Sequence, residues 1–237
     1  MATYVLVHGA WHGGWCWYRI VARLQRASHR VMAPDLLSLG IDGTPPGSVT
    51  LRAWTDQITA LAESSSEPIV LVGHSRGGIV LSEVAERIPD RVRVLVYVTA
   101  FLLENGRSLV DSVAEQPESL VPPAMIVAQD RKSATVRDTA IREAFYGRCD
   151  DDDVALARTL LKPEPLAPLA TPVHTTAERF GRVPRAYVEC TADRAISIAA
   201  QRRMQSDLPC RERVTLESDH SPFFCCPDDL AAVLLRL

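Results

Sequence analysis

The sequence predicts an α/β protein, a mostly parallel six-stranded sheet with helices on both faces and a helical insertion, and three observations predict it. Over residues 1–103 short β-rich runs alternate with amphipathic helical stretches, the pattern of a parallel sheet with crossover helices. From Glu104 to about Gly181 that alternation stops, and Pro, Gly, charge runs and short helical pieces take over. After Pro184 it resumes to the end of the chain.

The elements follow in order. Tyr4 to Val7 reads as the first strand. Trp17 to Ala27 places Ile20, Val21 and Leu24 on one side and reads as a helix, and Val31 to Asp35 returns as a strand that Pro34 ends. Thr50 caps a helix whose apolar residues Leu51, Trp54, Ile58 and Leu61 recur at spacings of three and four. Pro68 to Gly73 is a continuous apolar run, as expected of a central strand covered on both faces. A helix from about Arg76 to Ile88 and a strand from Val92 to Val98 complete the first half. Inside the insertion, helices are expected at Ser133 to Phe145 and Asp153 to Leu161, with the proline-rich stretch from Pro163 to Pro172 leading back to the sheet. Ala186 to Cys190 and Glu212 to Glu217 then read as strands, and Ile198 to Leu208 and Pro227 to Leu237 as helices. The division expected is a core of 1–103 and 182–237 carrying a lid of 104–181.

Composition narrows the class. The 237 residues are 47% hydrophobic, enough for a full core, and Lys+Arg 26 against Asp+Glu 29 leaves a net charge of −3. That balance gives no electrostatic reason to expect nucleic acid or an anionic membrane as partner. The apolar start is interrupted by His8 and Gly9, too short for a signal-peptide core or a membrane span, so a cytoplasmic location is expected. Six cysteines form no C-x-x-C pair and no zinc-finger spacing, and are expected as reduced thiols, with Cys225-Cys226 as packing. Only Lys132 and Lys162 among the 26 basic residues are lysine, a skew expected of GC-rich, bacterial coding.

Gly73-His-Ser75-Arg-Gly77 fits G-x-S-x-G between an apolar strand and a helix, the context a nucleophile elbow requires. Such a turn strains the serine backbone, lifts its hydroxyl above the strand end and needs small neighbours, supplied by Gly73, Gly77 and Gly78. A serine needs a base, and the base an orienting group. Of His8, His12, His29, His74, His174 and His220, the last lies directly after the final strand and is the candidate base. Asp193, beyond the preceding strand, is the candidate acid; Asp35 is the runner-up, and Asp219 and Asp207 read as solvated or capping residues. The oxyanion donors expected are the backbone amides of Arg76 and of Ala10, in the loop after the first strand. Trp11, beside that loop, is a candidate wall of the acyl pocket, whereas Asp150 to Asp153 precedes a helix and reads as capping rather than a calcium site.

With these residues in place, the chain resembles the α/β-hydrolase superfamily, and within it the methylesterase/hydroxynitrile-lyase-like branch that includes plant salicylate methylesterases. The resemblance rests on Val5 to Trp15, Gly73 to Gly78, Arg179 to Ile196 with Gln201-Arg-Arg, and Ser218-Asp-His220 with Pro227. It implies Ser75, Asp193 and His220 as triad, Ala10 and Arg76 as oxyanion hole, 104–181 as lid, and Phe101 in the substrate pocket. Lid residues Phe145 and Tyr146 and the base's neighbour Ser221 join Trp11 and Phe101 as substrate-binding candidates. The lyases of that branch carry a threonine in the oxyanion loop and a lysine after the histidine, where this chain has Gly9 and Ser221, which disfavours cyanohydrin chemistry. Arg76 departs from the apolar residue many relatives carry; its guanidinium is expected to pair with a lid carboxylate or to meet a polar substituent of the substrate.

The expectation is a cofactor-free, metal-free serine hydrolase, monomer or homodimer, acting on a small to medium apolar ester such as a methyl or aryl ester or a lactone. Two alternatives remain open at this point: a lyase- or decarboxylase-type step on a biosynthetic intermediate at the same site, which stoichiometric acylation of Ser75 would argue against, and a low-turnover binding protein, which need not react with a fluorophosphonate.

Overall fold

In a computed structural model describing residues 1–237, nine strands run in chain order as β1 (Thr3–Val7), β2 (Arg30–Met32), β3 (Ile69–His74), β4 (Val92–Val98), β5 (Met125–Val127), β6 (Ser133–Val136), β7 (Glu164–Pro165), β8 (Arg185–Cys190) and β9 (Glu212–Leu216). Six of them form one sheet in the order β2-β1-β3-β4-β8-β9, with every pairing parallel. The register runs Leu6 to Val72, Val72 to Val96 and Val96 to Ala186 across the centre.

Alternate residues of these strands enter two separate cores, as the two-residue period of a strand requires. Val5, Leu71, Leu95 and Tyr97 face the helices Leu51–Glu63, Gly77–Arg87 and Ile198–Asp207, whereas Leu6, Val72, Val96 and Val188 face Tyr18–Arg26 and Pro227–Arg236. Burial on both faces explains why the central strands are continuous apolar runs, each fully buried side chain contributing about 1.5–3 kcal/mol. Thr50 Oγ1 accepts from Ala53 N at 3.1 Å, so the predicted cap is formed.

The chain leaves the sheet after Val98 and rejoins it at Arg185. The intervening segment is not purely helical. It contains helices Leu109–Ala114, Asp138–Phe145 and Asp151–Leu160, but also an antiparallel sheet in the order β5-β6-β7. The helix expected from Ser133 therefore begins only at Asp138, because Ser133–Val136 pairs with Met125–Val127 on one side and Glu164–Pro165 on the other. Asp150 caps Asp151–Leu160 by accepting from Asp153 N at 2.8 Å, and Asp153 binds Arg19 of the core through both carboxylate oxygens.

Candidate active site

β3 hands over to helix Gly77–Arg87 through a turn in which Ser75 adopts φ +52°, a left-handed conformation that L residues reach only under strain. The neighbouring chain holds it there: Ser75 O accepts from Phe101 N at 3.0 Å and Gly78 N at 3.1 Å. A Cβ on Gly78 would stand 2.3 Å from Phe101 O, so only glycine admits this approach.

Asp193 follows β8 and His220 follows β9, and His220 Nδ1 lies 2.6 Å from Asp193 Oδ2. The other carboxylate oxygen, Oδ1, accepts from Ala195 N and Ile196 N at 2.7 and 2.8 Å, and Oδ2 also accepts from Thr99 Oγ1 at 2.5 Å. Thus Nδ1 of His220 is engaged and Nε2 is the nitrogen left for other work. His74, which read only as a flank of the serine, faces His220 at a ring separation of 4.5 Å and donates from Nε2 to His220 O at 2.7 Å.

Ser75 and His220 share the wall of a cavity of about 310 Å³, in which 14 of 17 lining residues are hydrophobic. A more open hollow of about 750 Å³, lined by Met1, Glu67 and Pro184 among others, lies at the opposite end of the strands. Ala10, Trp11, Arg76, Phe101 and Phe145 line the first cavity. The N–H groups of Ala10 and Arg76 donate to no group of the chain. Tyr146 and Ser221, expected at the substrate, do not line this cavity. Tyr146 is fully buried with its hydroxyl 2.5 Å from His12 Nε2, and Ser221 is fully buried in the turn after His220.

The loop after β1 is held from several sides. His8 Nε2 accepts from Leu36 N at 3.1 Å, so its Nδ1 carries the proton given to Gly9 O at 2.9 Å. Arg76 Nη2 donates to the same Gly9 O at 2.9 Å. His12 Nδ1 donates to Ala10 O at 2.6 Å. Trp11, at φ +62°, donates its N–H to Glu164 Oε2 at 2.8 Å and its indole N–H to Ala134 O at 2.9 Å. Burial pushes the His12 imidazole down to about 4 and holds those of His8 and His74 well below the usual range.

The two readings left open for Arg76 resolve into the first. Its Nε lies 2.9 Å from Glu164 Oε1, and its guanidinium stacks 4.2 Å over the Trp54 ring. Both members of the pair are almost fully desolvated, which lowers the Arg76 pKa and raises that of Glu164, each shift opposed by the partner's charge. Asp219 is not solvated. It is buried, accepts from Arg148 N at 2.6 Å and Ser221 N at 2.9 Å, and burial lifts its carboxyl to about 6. Asp35 ties its own loop to the segment after β1, accepting from Ile41 N at 3.0 Å and Gly14 N at 2.6 Å.

Strand ends in this order on a parallel sheet, with a strained serine turn first and a carboxylate-held histidine last, define the α/β-hydrolase class. The chain belongs to the alpha/beta hydrolase family, which it matches over residues 4–233. It is 32% identical over 249 residues to Methylesterase 2 of Arabidopsis thaliana, covering 99% of this chain and 95% of that one. It is also 32% identical over 250 residues to Salicylic acid-binding protein 2 of Nicotiana tabacum, covering 99% and 96%. A solved methylesterase from Arabidopsis superposes with a TM-score of 0.86 at 27% identity, covering 100% of this chain and 98% of that one. The chain is therefore a methylesterase-like, carboxylesterase-type hydrolase. No helix is long and apolar enough to cross a membrane.

Proposed function

We propose that this hydrolase cleaves a small to medium apolar carboxylic ester, a methyl or aryl ester or a lactone, through an acyl-enzyme on Ser75, with residues 104–181 as the lid over its substrate. The carrying observation is one apolar cavity lined by Ser75 and His220 together with Ala10 and Arg76, whose backbone N–H groups are unengaged.

In this reading His220 Nε2 takes the Ser75 proton as Oγ bonds to the ester carbonyl carbon, and Asp193, on Nδ1, stabilises the imidazolium that results. The carbonyl oxygen becomes an oxyanion received by the N–H groups of Ala10 and Arg76. Collapse breaks the carbon–oxygen bond to the alcohol, which leaves with the proton from His220. Water then repeats the sequence, releasing the acid and restoring Ser75. Leu109, Val113 and Leu169 of the inserted segment supply apolar walls that suit an uncharged acyl or alcohol group.

The test is hydrolysis of p-nitrophenyl acetate by wild type and by Ser75→Ala, with intact mass after a substrate pulse. Ser75→Ala is expected to lose about three or more powers of ten in kcat, and wild type to carry one acyl group. Wild-type turnover by Ser75→Ala sinks the reading. A wild type that neither turns over esters nor reacts with a fluorophosphonate does so as well.

A further inference from the structure

We propose that Arg76 and Glu164 form a positioning clamp that aims the oxyanion donors, so that strand β7 of the inserted segment sets the strength of the oxyanion hole; the inference rests on the ester-hydrolysis reading above.

The argument begins with the peptide between Gly9 and Ala10. In a trans peptide the C=O and N–H point to opposite sides of the chain. Gly9 O receives Arg76 Nη2 and His8 Nδ1, each at 2.9 Å, so the Ala10 N–H of the same unit is turned the other way. The next peptide is tied at both ends, its C=O by His12 Nδ1 and its N–H by Glu164 Oε2. Across these two peptides the Ala10 N–H is the one polar group left without a partner, and Ala10 lines the cavity.

Glu164 joins the parts. One carboxylate oxygen takes the Trp11 N–H and the other takes Arg76 Nε, so a single side chain holds both the loop of the first donor and the residue that supplies the second. Glu164 is fully buried and Arg76 is 1% exposed, where fixed charges act through a low dielectric. A guanidinium on Gly9 O also polarises that peptide and strengthens its N–H as a donor. Trp11 at φ +62° is a strained conformation for a bulky residue, and such strain persists only where surrounding bonds over-determine it. Here Glu164, Ala134 and Lys162, whose N–H donates to Trp11 O at 2.9 Å, all come from the inserted segment.

Removing one partner of a buried ion pair leaves an uncompensated charge and threatens folding, whereas replacing both by apolar residues of similar size is often tolerated. The decisive protein is therefore the double variant Arg76→Leu with Glu164→Leu. Its kcat for p-nitrophenyl acetate is expected to fall about 10- to 100-fold, less than outright loss of a donor, with KM within about twofold of wild type. The affinity for a trifluoromethyl ketone, which forms an oxyanionic adduct on the serine, should fall by the same factor. The affinity for the matching non-fluorinated methyl ketone should not change. Arg76→Lys, which restores a cation without a fork, should show a smaller loss than the double variant.

A folded double variant with wild-type kcat overturns the clamp. So does an equal loss of affinity for both ketones, which would mark a merely structural role. The two readings fail differently: with an active wild type and an inactive Ser75→Ala, the double variant judges the clamp alone, whereas a wild type without turnover removes the ester-hydrolysis reading and the clamp together.

Discussion

Thr99 Oγ1 lies 2.5 Å from Asp193 Oδ2, the oxygen that also faces His220 Nδ1 at 2.6 Å. With two backbone N–H groups on Oδ1, the carboxylate is held at both oxygens and cannot rotate away from the imidazole. Thr99 is itself fixed at the end of β4, at φ +36°, by donating its N–H to Val188 O at 2.8 Å. A hydroxyl bonded to a charged group is worth about 1.5–3 kcal/mol. Thr99→Val, nearly isosteric, should therefore lower kcat/KM for a simple ester about tenfold or more, and Thr99→Ser should retain most of it. Wild-type kcat/KM in a folded Thr99→Val protein would refute this role.

The elbow makes a second demand, on stability rather than chemistry. The Cβ of Gly78→Ala would meet Phe101 O at 2.3 Å, with Phe101 C and N both at 3.0 Å, and backbone cannot swing aside as a side chain can. Overpacking of this kind costs about 1–3 kcal/mol or more. Gly78→Ala should lower the urea midpoint accordingly, whereas Gly43→Ala, whose Cβ meets nothing within 4 Å, should leave it nearly unchanged. Equal midpoints for the two variants would show that the turn relaxes.

Acid sensitivity follows from the histidines. His8, His12 and His74 are buried and neutral, with folded-state pKa values below the ordinary 6.5; for His12 the value is about 4. Below pH 6.5 the unfolded chain binds protons that the folded chain refuses, so the stability these groups supply is present above 6.5 and is lost as pH falls toward 4. Asp219, raised to about 6 in the fold, acts in the opposite sense over the same window. Three histidines act in the one sense and Asp219 in the other, so the fold should lose stability as pH falls below about 6.5. Urea unfolding at pH 7, 6 and 5 measures this directly, and equal free energies at the three values would contradict it.

What was legible in the sequence and what was not divide along one physical line. The six parallel strands, the elbow and the order of Ser75, Asp193 and His220 are written in local signals: apolar runs, turn residues and position after a strand. Glu164 has no such signal. It sits between Pro163 and Pro165 in a stretch that reads as a linker, and its partner Arg76 is 88 residues away. Ser133 to Val136 merges with the periodicity of the following helix, and only pairing with β5 and β7 makes it a strand. Thr99 follows β4 and His74 ends β3, but their bonds to Asp193 and His220 depend on where β8 and β9 terminate. Tyr146, expected at the substrate as a lid residue, follows Phe145 at the end of a helix, which turns neighbouring side chains to different surroundings.

Phe145 and Tyr146 provide the sharpest test of that last point. The Phe145 ring lines the cavity, 5.6 Å from the His220 ring and 5.7 Å from the Trp11 ring, whereas Tyr146 lies behind the wall and bonds His12. Phe145→Leu removes aromatic bulk beside His220 and should shift the kcat/KM ratio toward bulkier esters by about tenfold, the scale set by a few methylenes in an apolar pocket. Tyr146→Phe loses only the hydroxyl that reaches His12 Nε2. It should leave the ester preference within about twofold and lower Tm by a few degrees, as the loss of one buried hydrogen bond worth about 1 kcal/mol does in a chain of this size. A panel varying acid and alcohol independently reads both effects. If Tyr146→Phe rearranges the preference and Phe145→Leu does not, substrate binds on the other side of the wall, and the cavity beside Ser75 is not where the ester sits.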